Sequence, residues 1–237
     1  MTKENKDYID VIDNTLSEIY DYYGRPLIGT VKDLIAESDN INPLLVLRNN
    51  IQKNKITNFF KNIQKISNLD IKDFINNLNK KEKVFFVEMI NKVIDLDDLL
   101  QNYIMSILMK SIKENGNLNY QEKSLYYNLN QLSEDDFRIY YCFYKGYIQN
   151  NTRNISISIA DTINDKEIVE IVLRRFITFN ILQDKSSVVM GNESNIKLKV
   201  TATSYSEELY KILDVYFDQN DICTEFSKPL KGQGARI

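Results

Sequence analysis

The chain has no histidine and no tryptophan among its 237 residues, and only 2 cysteines, 3 prolines and 7 glycines. Without imidazole there is no Ser-His-Asp triad, no Cys-His dyad, no histidine-bearing zinc site and no HExxH helix, so the usual proton carrier near neutral pH is missing. So few prolines and glycines argue against the turn-rich connections of a sandwich or barrel and fit long helices. The glycines are scattered, the close pair Gly232 and Gly234 lying near the C-terminus, so no phosphate-cradling loop is present. The cysteines, Cys142 and Cys223, lie far apart, and Cys142 sits among Tyr140, Tyr141, Phe143 and Tyr144, which reads as core with thiols in a reducing compartment. Met1 to Lys6 carries no apolar signal-peptide core, and the longest greasy stretch, Tyr103 to Met109, is interrupted by Ser106 and bounded by Lys110. A soluble cytoplasmic protein with no membrane partner is the expectation.

The rest of the composition is an ordinary globular balance, 43% hydrophobic and 27% charged, with a net charge of -3. That sign gives no general attraction to phosphate. The charge is unevenly spread: residues 1–40 carry a net -5 and residues 41–95 a net +5, a pattern that suits two segments neutralising each other.

Apolar residues recur at helical spacing along most of the chain. Ile9, Ile12, Leu16 and Ile19 mark a first helix ending near Gly24-Arg25-Pro26, and Leu27, Val31, Leu34 and Ile35 a second. Asn42-Pro43 starts a third helix, whose buried side carries Ile56, Phe59, Phe60 and Ile63. Short helices carry Ile71, Phe74, Ile75 and Leu78, then Phe86, Ile90, Val93 and Ile94, with Asn79 and Glu82 forming a reciprocal cap. Leu100, Tyr103, Ile104, Ile107 and Leu108 lie on the most apolar helix, which stops near Asn115-Gly116. Leu125, Leu129 and Leu132 outline another, and Ser133 with Asp136 opens one bearing Phe137, Tyr141, Tyr144 and Ile148.

Beyond Gln149 the pattern changes. Ile155, Ile157 and Ile159 alternate as a strand does. A helix capped by Asn164 and Glu167 presents Ile168, Val172, Phe176 and Phe179 and ends at Asn180-Ile181-Leu182. Val188–Met190 and Ile196–Thr201 then make a hairpin about Gly191–Ser194, and Ser204 with Glu207 caps a last helix bearing Leu209, Ile212, Leu213 and Tyr216. The expected fold is mainly α: a multi-helix N-terminal bundle over 1–132, a small α+β subdomain over 133–217, and a tail over 218–237.

Helix, strand, helix, hairpin and closing helix in that order resemble a winged helix-turn-helix. The run Ile171 to Phe176 through Leu182 looks like a recognition helix entering its wing, and Thr201 to Leu213 like the closing helix. That resemblance implies Arg174, Arg175, Lys197 and Lys199 as candidate nucleic-acid contacts. Residues 150–217 nonetheless carry a net charge of -1, and such modules also dock proteins. At a wider scale, Arg25-Pro26-Leu27-Ile28-Gly29 leading a helix, Phe59-Phe60-Lys61 and the late wing are similar to uncharacterised helical proteins of low-GC bacteria and their mobile elements, some grouped with abortive-infection proteins. This implies a role in phage or plasmid conflict.

For metals, oxygen ligands in Asp95, Asp97 and Asp98 or in Glu134, Asp135 and Asp136 suit Mg²⁺, and Asp70-Ile71-Lys72 has the acid-x-Lys spacing of some nucleases. Each cluster falls at a helix start, where carboxylates serve as caps. No catalytic, cofactor or metal residue is therefore assigned. Tyrosines number 15, and Tyr22-Tyr23 and Tyr126-Tyr127 are candidate protein-interface pairs, since adjacent helical positions point apart. The expected activity is binding of another protein, not enzymatic, with DNA regulation as the alternative.

Overall fold

The computed structural model describes residues 43–150, 155–156, 166–185 and 199–217. The first two expected helices, Asn164, residues 186–198 and everything after Phe217 lie outside the described residues. Contacts divide the chain into two compact units between Glu122 and Lys123; the sequence pattern put its boundary at 132/133.

The first unit contains α1 (Pro43–Ser67), α2 (Ile71–Asn76), α3 (Lys80–Asp95) and α4 (Leu99–Asn115), and α5 (Tyr120–Asn128) starts within it. Helix α1 begins at the proline that needs no N–H partner in a first turn. Its apolar stripe, Ile56, Phe59, Phe60 and Ile63, is buried. Phe86 of α3 sits within 6.1, 5.8 and 6.5 Å of the ring centres of Phe59, Phe60 and Phe74. Lys113 of α4 lays its ammonium 4.4 Å from the centre of the Phe74 ring, a cation–π contact at the edge of this cluster.

Helix starts obey the spacing of polar pairs. The Asn79 side chain accepts from the N–H groups of Lys81 and Glu82, and Glu82 returns a carboxylate oxygen to the Asn79 N–H at 2.8 Å. Asn119 and Glu122 repeat the exchange at α5, at 2.7 and 2.8 Å. Helix α4 ends on Gly116 at φ 73°, the left-handed conformation that glycine adopts without a Cβ penalty.

Helix α4 is the unit's centre and is not uniformly apolar. Asn102 donates through Nδ2 to the Lys55 carbonyl at 2.7 Å, and the Ser106 hydroxyl lies 3.3 Å from the Phe59 carbonyl and 3.0 Å from that of Asn102. Both side chains are buried. Among the described residues the Asn102 Oδ1 meets no donor.

The second unit holds the rest of α5, a 3-10 turn (Leu129–Gln131), α6 (Glu134–Asn150), β1 (Ile155–Ser156), α7 (Lys166–Thr178), β2 (Leu182–Asp184), β3 (Lys199–Ala202) and α8 (Ser204–Phe217). The three strands are antiparallel in the order β1-β3-β2, with Ile155 and Asp184 both aligned to Val200. Two expectations change here. Leu182 does not end a helix but opens β2: Asn180 turns the chain at φ 59°, and the Ile181 N–H closes the α7 terminus on the Phe176 carbonyl. Among the described residues Leu182–Asp184 faces β3, and the expected hairpin arm Val188–Met190 with its turn Gly191–Ser194 lies outside the described residues. The last helix is capped by Thr203 and Ser206, one position before the expected pair: the Ser206 N–H donates to Thr203 Oγ1 at 3.3 Å and the Thr203 N–H to Ser206 Oγ at 2.9 Å. Glu207 instead pairs with Lys211 on the helix surface.

Ser206 is also the point at which three elements meet. Its hydroxyl donates to the Ile181 carbonyl, which Thr203 Oγ1 reaches as well at 2.8 Å, and its own carbonyl accepts from the Tyr140 hydroxyl at 2.8 Å. Around this node the rings of Tyr140, Tyr144, Phe137 and Phe176 pack, with Tyr140 and Phe176 stacked 4.5 Å apart. Tyr141, on the next face of α6, stacks on Tyr210 and donates to Asp214 at 2.7 Å. Tyr140 and Tyr141 are both buried, as the aromatic run around Cys142 suggests, since α7 covers one side of α6 and α8 another.

Burial raises the Tyr140 hydroxyl well above its ordinary value of 10.0, against the smaller lowering effect of its bond to Ser206. Burial also raises Tyr141, reinforced by the hydrogen bond to Asp214. The folded chain keeps these protons at a pH where the unfolded chain loses them, so the stability they confer is complete below about pH 10 and falls as pH rises past it. Urea midpoints measured from pH 8 to 12 should decline above pH 10, and less steeply in Tyr140→Phe.

Candidate interaction surface

Helix α7 is amphipathic: one side buries Val169, Val172, Leu173 and Phe176 against the sheet and α6, and the other faces water. The outward side is not purely polar. Ile168 is 48% exposed and Ile171 53% exposed. Ile168 was expected in the core, but the 3.6-residue period gives that place to Val169, one position on. Glu167, Arg174, Arg175 and Thr178 share the outward side with the two isoleucines.

Both arginines are engaged by carboxylates of their own unit. Arg174 donates through Nε at 2.9 Å and Nη2 at 2.5 Å to Glu170 one turn back, an exposed pair worth a few tenths of a kcal/mol. Arg175 places Nη1 2.8 Å from both carboxylate oxygens of Asp136. Asp136 is buried and already caps α6: the Ser133 N–H donates to it at 2.9 Å, and its own N–H lies 3.2 Å from Ser133 Oγ. Two helices are thus joined through one carboxylate that holds a helix end on one side and a guanidinium on the other.

Lys199 opens β3 opposite Ser156, and Lys197 lies outside the described residues. Tyr127 is exposed while its neighbour Tyr126 is buried, their rings edge to face at 5.2 Å. Tyr22 and Tyr23 lie outside the described residues, as does Cys223; Cys142 is half-buried between Tyr141 and Phe143.

No protein-family model, curated protein or solved structure matches this chain.

The acidic clusters do not converge. Asp98 is the N-cap of α4, where the Gln101 side chain accepts from the N–H groups of Asp97 and Asp98 at 2.9 and 3.0 Å. Glu134 pairs with Arg138 at 2.6 Å, and Asp136 is taken by Ser133 and Arg175. Asp70 is exposed before α2, within 3.4 Å of the Gln64 amide. Among the described residues no group of three or more acidic or thiol side chains is placed to hold a metal ion, and no helix is long and apolar enough to cross a membrane. The exposure of Ile168 and Ile171 was missed from sequence, because apolar residues at helical spacing read as core.

Proposed function

We propose that this chain is a non-enzymatic, protein-binding accessory factor and that the outward side of α7 is its contact surface. One observation carries the reading: the helix that would touch nucleic acid in a winged module exposes two isoleucines and holds its two arginines against Glu170 and Asp136. Half-exposed aliphatic side chains ringed by charges gain by covering with another apolar surface, whereas a phosphate backbone gives them nothing. The setting, conflict between a bacterium and its phages or mobile elements, rests on the resemblance carried by Arg25–Gly29 and Phe59–Lys61.

A second reading, a winged-helix DNA-binding regulator, has its own support in the β1-β3-β2 strand order and in a helix succeeded at once by an antiparallel pair and a closing helix. One experiment separates the two. Tagged wild type and Ile171→Glu are used to recover partners from extract of the source cells, alongside titration of duplex DNA at low and moderate salt. Stoichiometric recovery of a protein by wild type, lost in Ile171→Glu, is the expected result. Salt-sensitive duplex binding abolished by changing Arg174 and Arg175 to Ala, with no protein recovered, would favour the regulator.

A further inference from the structure

The outward side of α7 is complementary to itself turned end for end. On a helix turning about 100° per residue, Glu167, Ile168, Arg174, Arg175 and Thr178 all fall within about 60° of Ile171. The acid lies toward the N-terminus, the isoleucines in the middle and the bases toward the C-terminus. Glu167 and Arg174 are two turns apart on one flank of Ile171, while Ile168 and Arg175 are two turns apart on the other.

A two-fold axis crossing this side at Ile171 brings a second α7 onto the first end for end. Ile171 then meets Ile171 on the axis. Glu167 of each copy lies opposite Arg174 of the other, and the aliphatic stem of each Arg175 covers Ile168 of the other copy. The Arg174 bonds to Glu170 use Nε and Nη2, so Nη1 remains for a second carboxylate. Arg175 keeps its Asp136 bond on the inner side of the same guanidinium while being about half exposed on the outer.

From this self-complementary order of charge and apolar groups we infer that the α7 side is the contact surface of an antiparallel, two-fold symmetric homodimer. The inference rests on the proposed reading of α7 as a protein-contact surface and names the partner as a second copy of this chain.

Sedimentation velocity of the full chain over a concentration series tests it. Wild type should show a monomer–dimer equilibrium, and Ile171→Glu should stay monomeric throughout with unchanged helical circular dichroism. Glu167→Arg and Arg174→Glu each set like charges opposite one another and should raise the dissociation constant at least about tenfold. The exchange variant carrying both substitutions restores opposite charges and should return to within about threefold of wild type. A monomer at every concentration, or a dimer indifferent to Ile171→Glu or unrestored by the charge exchange, would overturn the inference. A wild-type monomer that still loses a recovered partner through Ile171→Glu would overturn self-pairing and leave the protein-contact reading in place.

Discussion

Replacing Phe86 by alanine should cost the first unit about 3–5 kcal/mol, the loss expected for deleting a buried ring whose surroundings relax only in part. Phe86 is fully buried, and its ring lies between those of Phe59 and Phe60 on α1 and that of Phe74 on α2. Its removal therefore opens a void bounded by two helices besides its own. The remaining rings cannot all close on that void, because Phe59 and Phe60 are adjacent on one rigid helix and point in different directions. The urea midpoint of this unit should fall sharply, with hydrogen exchange of the α4 amides accelerating in parallel. Leu99→Ala is the control: Leu99 is exposed and its truncation should stay within about 0.5 kcal/mol. A loss below about 1 kcal/mol for Phe86→Ala would mean that the ring cluster is not the core of the unit.

Ser206→Ala should lower the stability of the second unit by about 2–3 kcal/mol, more than an ordinary cap deletion. The hydroxyl serves both ends of a local problem. It accepts the Thr203 N–H at the start of α8 and donates to the Ile181 carbonyl where α7 gives way to β2. Ser206 is fully buried, so its loss leaves the Thr203 N–H without that acceptor in a place where water does not readily compensate. Ser204→Ala tests the assignment from the other side, since Ser204 is exposed and should cost less than about 0.5 kcal/mol. Equal effects at the two positions would sink the Thr203–Ser206 cap.

These two positions also mark how far the sequence alone could be read. The Phe59, Phe60, Phe74 and Phe86 cluster was legible because helical periodicity selects inward positions. The Asn79–Glu82 exchange and the Gly116 stop were legible because caps depend on residue types three apart or on a left-handed turn. The α8 start was displaced by one residue, since Thr203-Ser204 offers two adjacent hydroxyls and only the fold decides which has an acceptor and a donor within reach. Strand β2 was missed because three residues, the first buried and the next two exposed, carry no alternation to detect. Of the candidate surface, Arg174 and Arg175 were named through the winged-helix resemblance, and both are exposed. The Arg175–Asp136 pair was not legible, because its members are 39 positions apart and meet only when α6 and α7 pack. Ile168 and Ile171 were hidden for the opposite reason: spacing identifies apolar positions but not which of two neighbouring stripes the sheet will cover.

The buried side chains of Asn102 and Ser106 give α1 and α4 a single axial setting. Spaced one turn apart, they engage the Lys55 and Phe59 carbonyls, which are spaced by the same turn. Greasy helix faces alone slide past one another at little cost; an amide and a hydroxyl in step with two carbonyls act as the key in a keyway. Displacing either helix by a single residue, about 1.5 Å along its axis, disengages both at once. The lone acceptor at Asn102 Oδ1 is what that indexing costs in stability, and an apolar residue there would leave the two helices firmly packed but free to mesh at more than one notch.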